Sequence, residues 1–195
     1  MKNQVTGAIL SGGRNRRMKG RNKAFIEIDG NPIIDRTVAI FESIFNEIII
    51  ITNEVEEYSN YRDKCVIVND EIKNIGPLGG IHAALSTAKN NAVFFSACDM
   101  PNLHNEIIIS QIDYFNKKKG DALLPRIGNL VEPLHAIYKK SIKDDLEQFI
   151  KNSPDHSVKS FLKTINVAYW DLENTSFYRN TFKNINTPED IDYED

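Results

Sequence analysis

The strongest constraint on this chain is the regular alternation of short apolar runs with amphipathic stretches between residues 5 and 124. Residues 5–10 (VTGAIL) are apolar and end in Ser-Gly-Gly, which reads as a buried strand entering a loop. Residues 31–45 place Ile34, Val38, Phe41 and Phe45 at helical spacing, with Pro32 suited to a first helical turn. Residues 47–52 (EIIIIT) are β-branched and nearly uninterrupted, as a strand covered on both faces is. Residues 54–61 read as a short helix, 65–68 as a strand, 78–89 as a helix with Ile81, Leu85 and Ala88 on one stripe, and 91–97 as a strand. Residues 106–115 then read as a helix and 121–124 as a fifth strand. Five strands alternating with helices predict βαβ units, a parallel sheet and right-handed crossovers.

The last third departs from this rhythm. Residues 129–138 and 167–170 read as strands, and 142–150 and 159–162 as helices, so added antiparallel strands and a lid over one end of the sheet are expected. No Pro-, Gly- or Ser-rich linker interrupts the 195 residues, and the expectation is one domain (1–195) in two parts, 1–125 and 126–195. Lys+Arg 24 against Asp+Glu 27 gives a net charge of −3, which argues against a general nucleic-acid binder. No apolar run reaches the length of a membrane span, and no secretory signal opens the chain. Cys65 and Cys98 cannot make a disulfide framework or a four-cysteine metal site, so a reduced, cytoplasmic setting is expected.

In an open parallel sheet, ligands bind beyond the carboxyl ends of the strands. That rule selects four loops: 11–23, 52–53, 69–80 and 98–101. The first carries Ser11, Gly12 and Gly13, then Arg14, Arg16, Arg17, Lys19, Arg21 and Lys23 with no acid among residues 14–23. Backbone N–H groups at a glycine pair close on phosphate and the cations supply charge, although a solvated basic loop has the same composition. Asp99 stands at the tip of an apolar strand, where a carboxylate either caps the next turn or holds a cation such as Mg²⁺ with phosphate oxygens and water. In Gly76-Pro77-Leu78-Gly79-Gly80 the backbone can approach a flat ligand, or simply turn; Asp70, just before, caps or accepts from a ligand. His82 and His135 read as hydrogen-bonded structural histidines, and His104 and His156 as exposed. Cys98 reads as a small buried hydrophobe, and Trp170 as core or sheet-face material. The Lys117–Lys119 run and the acidic residues Glu189, Asp190, Asp192, Glu194 and Asp195 read as solvated surface.

Five motifs in order carry a family resemblance. Leu10-Ser11-Gly12-Gly13 with Arg17-Met18 and Lys23 is similar to an L-A-G-G-x-S-x-R-M-G pattern followed by D-K. Gly76-Pro77-Leu78-Gly79-Gly80, Cys98-Asp99-Met100-Pro101, Glu132-Pro133-Leu134-His135-Ala136-Ile137-Tyr138 and residues 182–190 (FKNINTPED) complete it. The chain resembles the molybdenum cofactor guanylyltransferases, which have a Rossmann-like nucleotidyltransferase fold. Three residues depart from the pattern: Ser11 for Ala, Lys19 for Gly, and Asn22 for the Asp before Lys23, the last removing a carboxylate able to orient Lys23.

The resemblance implies transfer of GMP from GTP to the terminal phosphate of molybdenum-carrying molybdopterin, with release of pyrophosphate. It implies Mg²⁺ on Asp99, with Lys23 and the N–H groups of Ser11, Gly12 and Gly13 on the phosphates. Arg17 would serve the leaving pyrophosphate or the loop. Guanine would rest on Leu10 and on Gly76, Pro77, Leu78 and Gly80. Asp70 matches a nucleotide-contact position, and Asn184 and Asn186 would close the acceptor side or the metal's outer shell. Residues 128–138 and 182–190 are where the pterin would be gripped, with sheet-edge packing as the alternative. Transient contact with proteins that deliver the cofactor or receive it is also implied, whereas nucleic acid and membrane are not. Two other readings stay open on residues alone: a related enzyme using CTP or a sugar phosphate, and a non-catalytic nucleotide-binding module.

Overall fold

The computed structural model describes residues 4–12, 22–70, 72, 75–185 and 190. Strand β1 (Val5–Leu10) sits between β4 (Ile48–Ile51) and β6 (Ala92–Ala97), parallel to both, with Leu10 opposite Ile51 on one side and Ala97 on the other. Strand β5 (Val66–Val68) extends the sheet beyond β4. On the far side of β6 follow β9 (His135–Lys139), β7 (Ala122–Ile127) and β10 (Val167–Asp171), giving the order β10-β7-β9-β6-β1-β4-β5, while β8 (Leu130–Val131) pairs with β7. The order reverses beside β1, between β4 and β6. Such a reversal opens a crevice at the carboxyl ends of the strands.

Alternation along β1 builds two cores. Val5 and Ile9 face one layer with helices α1 (Ile33–Ile44) and α3 (Asn105–Lys117). Ala8 and Leu10 face the other, with α2 (Pro77–Thr87), α4 (Lys143–Asn152) and α5 (Val158–Phe161). A last helix, α6 (Ser176–Thr181), precedes the closing segment. Phe41, Phe45 and Phe94 pack ring to ring at 5.0–5.8 Å beneath Gly7. Each buried Phe contributes about 1.5–3 kcal/mol.

Four local expectations are corrected. The helix expected over 31–45 starts at Ile33, because Asn31–Pro32 (β3) pairs with Glu27–Ile28 (β2) in a hairpin turned by Asp29 and Gly30, both at positive φ. That Asp-Gly pair is a hairpin signal. The strand expected over 129–138 is broken at Glu132–Leu134 into β8 and β9. Both pieces pair antiparallel, β8 with β7 and β9 inserted between β6 and β7, whereas β10 runs parallel to β7. The fifth strand of the alternation therefore keeps its direction but loses its neighbour. His104 and His156 are half-buried, not exposed. Among the described residues, no helix is long and apolar enough to cross a membrane.

Candidate active site

The ladder runs one residue past the strands and fixes the rim. Ser11 N donates to Ile51 O (2.8 Å), Thr52 N to Val68 O (3.0 Å), Cys98 N to Leu10 O (3.0 Å) and Ala97 N to Leu134 O (3.1 Å). The loops after β1, β4, β5 and β6 thus leave the sheet side by side. Gly13 and Arg17, with the rest of 13–21, lie outside the described residues, as do Asn186 with 187–189 and the acidic residues of 191–195.

Beyond that gap the chain returns as a short 3-10 turn, Lys23–Phe25, capped by the Asn22 side chain. The turn aims Lys23 back at the rim, and its Nζ lies 3.0 Å from Asp99 Oδ2, with side-chain exposures of 16% and 20%. Two residues 76 apart in sequence are so brought into one partly desolvated pair. Removing Lys23 takes from the partly buried Asp99 carboxylate the cation that compensates it.

On the other flank, Asp70 follows β5. Its Oδ1 accepts from Ile72 N at 3.1 Å. Burial holds its carboxyl above the usual carboxylate range, partly offset by that N–H and by His82. The carboxylate lies where a Cβ on Gly79 would stand, over the first turn of α2, whose dipole suits an anion. Gly76 enters that helix at φ 63° and ψ −145°, a conformation open only to glycine, and Pro77 occupies the first helical turn. A Cβ at Gly80 would stand 2.8 Å from Leu10 Cδ2, so the α2 start and the end of β1 form one apolar shelf, with Leu78 buried behind it.

The closing segment is tied to the same place. Ile185 N donates to Asp99 O at 2.8 Å, and the neighbouring Asn184 has a buried Oδ1 with no hydrogen-bond partner among the described residues. The structure therefore brings together Leu10, Ser11, Gly12, Lys23 and Asp99 with Asn184, and through Leu10 the 76–80 turn and Asp70.

Three residues were not singled out from sequence. Asn53 Nδ2 lies 3.8 Å from the Cβ position of Gly12; only its loop was marked. Glu132, within a quoted motif, is half-buried, accepts from Leu134 N at 3.1 Å and has its carboxyl raised by burial and by facing Asp99. Tyr58, fully buried, hydrogen-bonds Ser11 through its hydroxyl and accepts from Asn22 Nδ2 at 3.0 Å. Nothing in an isolated tyrosine on a short helical segment marks it.

Two histidine expectations separate. His82 is hydrogen-bonded to Glu147 at 2.9 Å. His135 is not: both ring nitrogens are buried without partners among the described residues, and the ring meets Phe94 and Phe182 edge to face. The sequence reading failed there because the surrounding strand supplies rings rather than polar groups. Cys98 is half-buried, and burial pushes its thiol up to about 11 against a hydrogen bond from Ser11.

A sheet whose order reverses beside its first strand, with a lysine–carboxylate pair and a glycine-opened helix at the reversal, is the Rossmann-like architecture of nucleotide-handling transferases. The sequence profile of the MobA-like NTP transferase domain matches residues 7–169, and the chain belongs to that family. It is 39% identical over 158 residues to a protein of Clostridium perfringens named probable molybdenum cofactor guanylyltransferase, covering 80% of this chain and 76% of that one. It is 32% identical over 187 residues to the molybdenum cofactor guanylyltransferase of Syntrophotalea carbinolica, covering 94% and 87%. Among solved structures, molybdopterin-guanine dinucleotide biosynthesis protein A of Archaeoglobus fulgidus superposes with a TM-score of 0.80 at 26% identity, over 96% of this chain and 95% of that one.

Proposed function

We propose that this chain transfers GMP from GTP to the terminal phosphate of molybdopterin carrying molybdenum, releasing pyrophosphate, at the rim between β1 and β6. The relatives support the activity. The observation that carries the assignment of the site is the Lys23–Asp99 pair. It stores one cation and one anion where a triphosphate and its counter-cation would each take a partner.

The acceptor's phosphate oxygen attacks the α-phosphorus of GTP. A new P–O bond forms, the bond from the α-phosphorus to the bridging oxygen breaks, and the electron pair leaves with pyrophosphate. The nucleophile is already anionic and needs no base, so the protein's task is position and charge. Lys23 and the N–H groups of Ser11 and Gly12 hold the phosphates, joined by Gly13; Arg17 serves the leaving group. The shelf of Leu10 and Gly80 with the 76–78 turn takes the purine face, and Asp70 accepts from a ribose hydroxyl or a guanine N–H.

The residues present fit magnesium. Among the described residues no group of three His, Cys, Asp or Glu side chains gathers for a metal, which leaves Asp99, and Asn184 one residue before the Ile185 N–H that donates to Asp99 O. One or two hard oxygen ligands, with phosphate and water completing the shell, suit Mg²⁺ and not zinc. When bound, the ion supplies charge neutralisation across the triphosphate. Asn184 and Asn186 belong to its outer shell or to the acceptor side, with 182–190 and the 128–134 part of 128–138 gripping the pterin, since 135–138 form a buried interior strand. We place the enzyme in the cytoplasm, which keeps Cys65 and Cys98 as free thiols, and there it meets delivering and receiving proteins transiently.

The test is Asp99→Ala. Magnesium-dependent turnover should vanish while circular dichroism and thermal unfolding remain those of a folded chain; full activity would overturn the metal assignment.

A further inference from the structure

We propose that Tyr58, through Asn22, positions the Lys23 turn, and that Glu57 is the acceptor that makes an amide at position 22 work. The inference rests on the reading that Lys23 holds the triphosphate.

Tyr58 lies on the 3-10 segment Val55–Tyr61 after β4, with no exposed surface. Its ring packs 5.0 Å from that of Phe25, the last residue of the Lys23 turn. Its hydroxyl accepts from Asn22 Nδ2 at 3.0 Å and meets the Ser11 hydroxyl. Cys98, the neighbour of Asp99, is tied to the same strand end, its N donating to Leu10 O at 3.0 Å. One phenol therefore joins the three segments that build the site: the end of β1, the Lys23 turn and the loop after β6. Burial pushes the phenol up to about 12, so it stays neutral and shares a hydrogen bond with the Ser11 hydroxyl while it accepts from Asn22.

Asn22 uses its whole amide. The oxygen accepts from Ala24 N at 3.2 Å and closes the turn that carries Lys23. One N–H goes to Tyr58, and the other donates to Glu57 Oε2 at 2.7 Å. A carboxylate at position 22 would keep the cap but lose both donations and would face Glu57, a like charge. The family pattern has Asp at position 22 and Ala at position 11. The two departures, Asn22 and Ser11, are the two side chains that grip the Tyr58 hydroxyl. The amide does not loosen Lys23; it holds the turn through a different set of bonds.

The test measures GTP affinity by calorimetry, with magnesium, for the full chain and five variants. Tyr58→Phe keeps the ring and removes the bonds, and should weaken GTP by about tenfold, the scale of one to two net hydrogen bonds. Asn22→Asp should weaken it by a similar factor. Asn22→Asp with Glu57→Gln removes the like charge and restores a donor opposite the new carboxylate, and should recover affinity to within about twofold of the parent chain, the scatter with which independent substitutions add. Lys23→Ala should weaken GTP by at least about tenfold, and Asn22→Asp added to Lys23→Ala should then weaken it no further. A merely structural role for Asn22 predicts the opposite: losses that add, and no rescue by Glu57→Gln. If Lys23→Ala weakens GTP but the rescue fails or the losses add, the positioning role is wrong and the site stands. If Lys23→Ala leaves affinity unchanged, Lys23 is not a phosphate ligand and both readings fall.

Discussion

His135, buried in the core, predicts a pH dependence of stability on the acid side of neutrality. Its ring has no exposed surface, its nitrogens have no hydrogen-bond partner among the described residues, and it sits 4.9 Å from each of the Phe94 and Phe182 rings. Burial lowers it from 6.5 to about 4, the charged form being the one the pocket refuses. Between those two values the unfolded chain binds a proton that the folded chain does not, so stability rises with pH in that window and is flat above it. The full span is worth about 3 kcal/mol, and the fall from pH 7 to pH 5 is about 2 kcal/mol. His135→Leu removes the group. It also removes two unpartnered nitrogens at little change in volume, so at pH 7 it should be no less stable than the parent. Urea unfolding of both chains at pH 7 and pH 5 measures the difference directly. The parent should lose about 2 kcal/mol more than the variant over that interval. Equal losses would show that the imidazole is solvated or paired and would refute the reasoning.

Two further substitutions test the packing around the site. Gly79→Ala puts a methyl where the Asp70 carboxylate lies, and because a side-chain end can swing away at little cost, unfolding should change by less than about 1 kcal/mol while GTP affinity, read by calorimetry, drops several-fold. Gly7→Ala is the contrast: its Cβ would stand 2.5 Å from Phe45 Cδ2 and 2.7 Å from Phe41 Cδ2, rings locked in the core, so denaturant unfolding should show a loss of about 1–3 kcal/mol.

The parallel half of the sheet was legible because a strand buried on both faces must be apolar throughout, and β1, β4 and β6 are. The rim was legible because strand ends are where such a sheet binds, so Leu10, Gly12, Asp70 and Asp99 could be marked before their contacts were visible. Pairing partners were not legible. The β9 insertion between β6 and β7 depends on which edge is open when the chain returns, and no local pattern in residues 135–139 encodes that. The two-strand hairpin at Asp29–Gly30 was overlooked because Pro32 also suits a helix start. The Asn22 substitution read as a loss because its compensation lies 35 residues away in Glu57. A polar residue's role is fixed by partners that only the fold supplies, as Tyr58 and Glu132 also illustrate.

The central claim is that the rim between β1 and β6 holds a guanine triphosphate with its magnesium. Calorimetric titration of GTP, CTP, ATP and UTP into the full chain, each with and without Mg²⁺, tests it most directly. GTP should bind tightest and should weaken markedly when magnesium is withheld. Preference for CTP, or a GTP affinity indifferent to the metal, would contradict it.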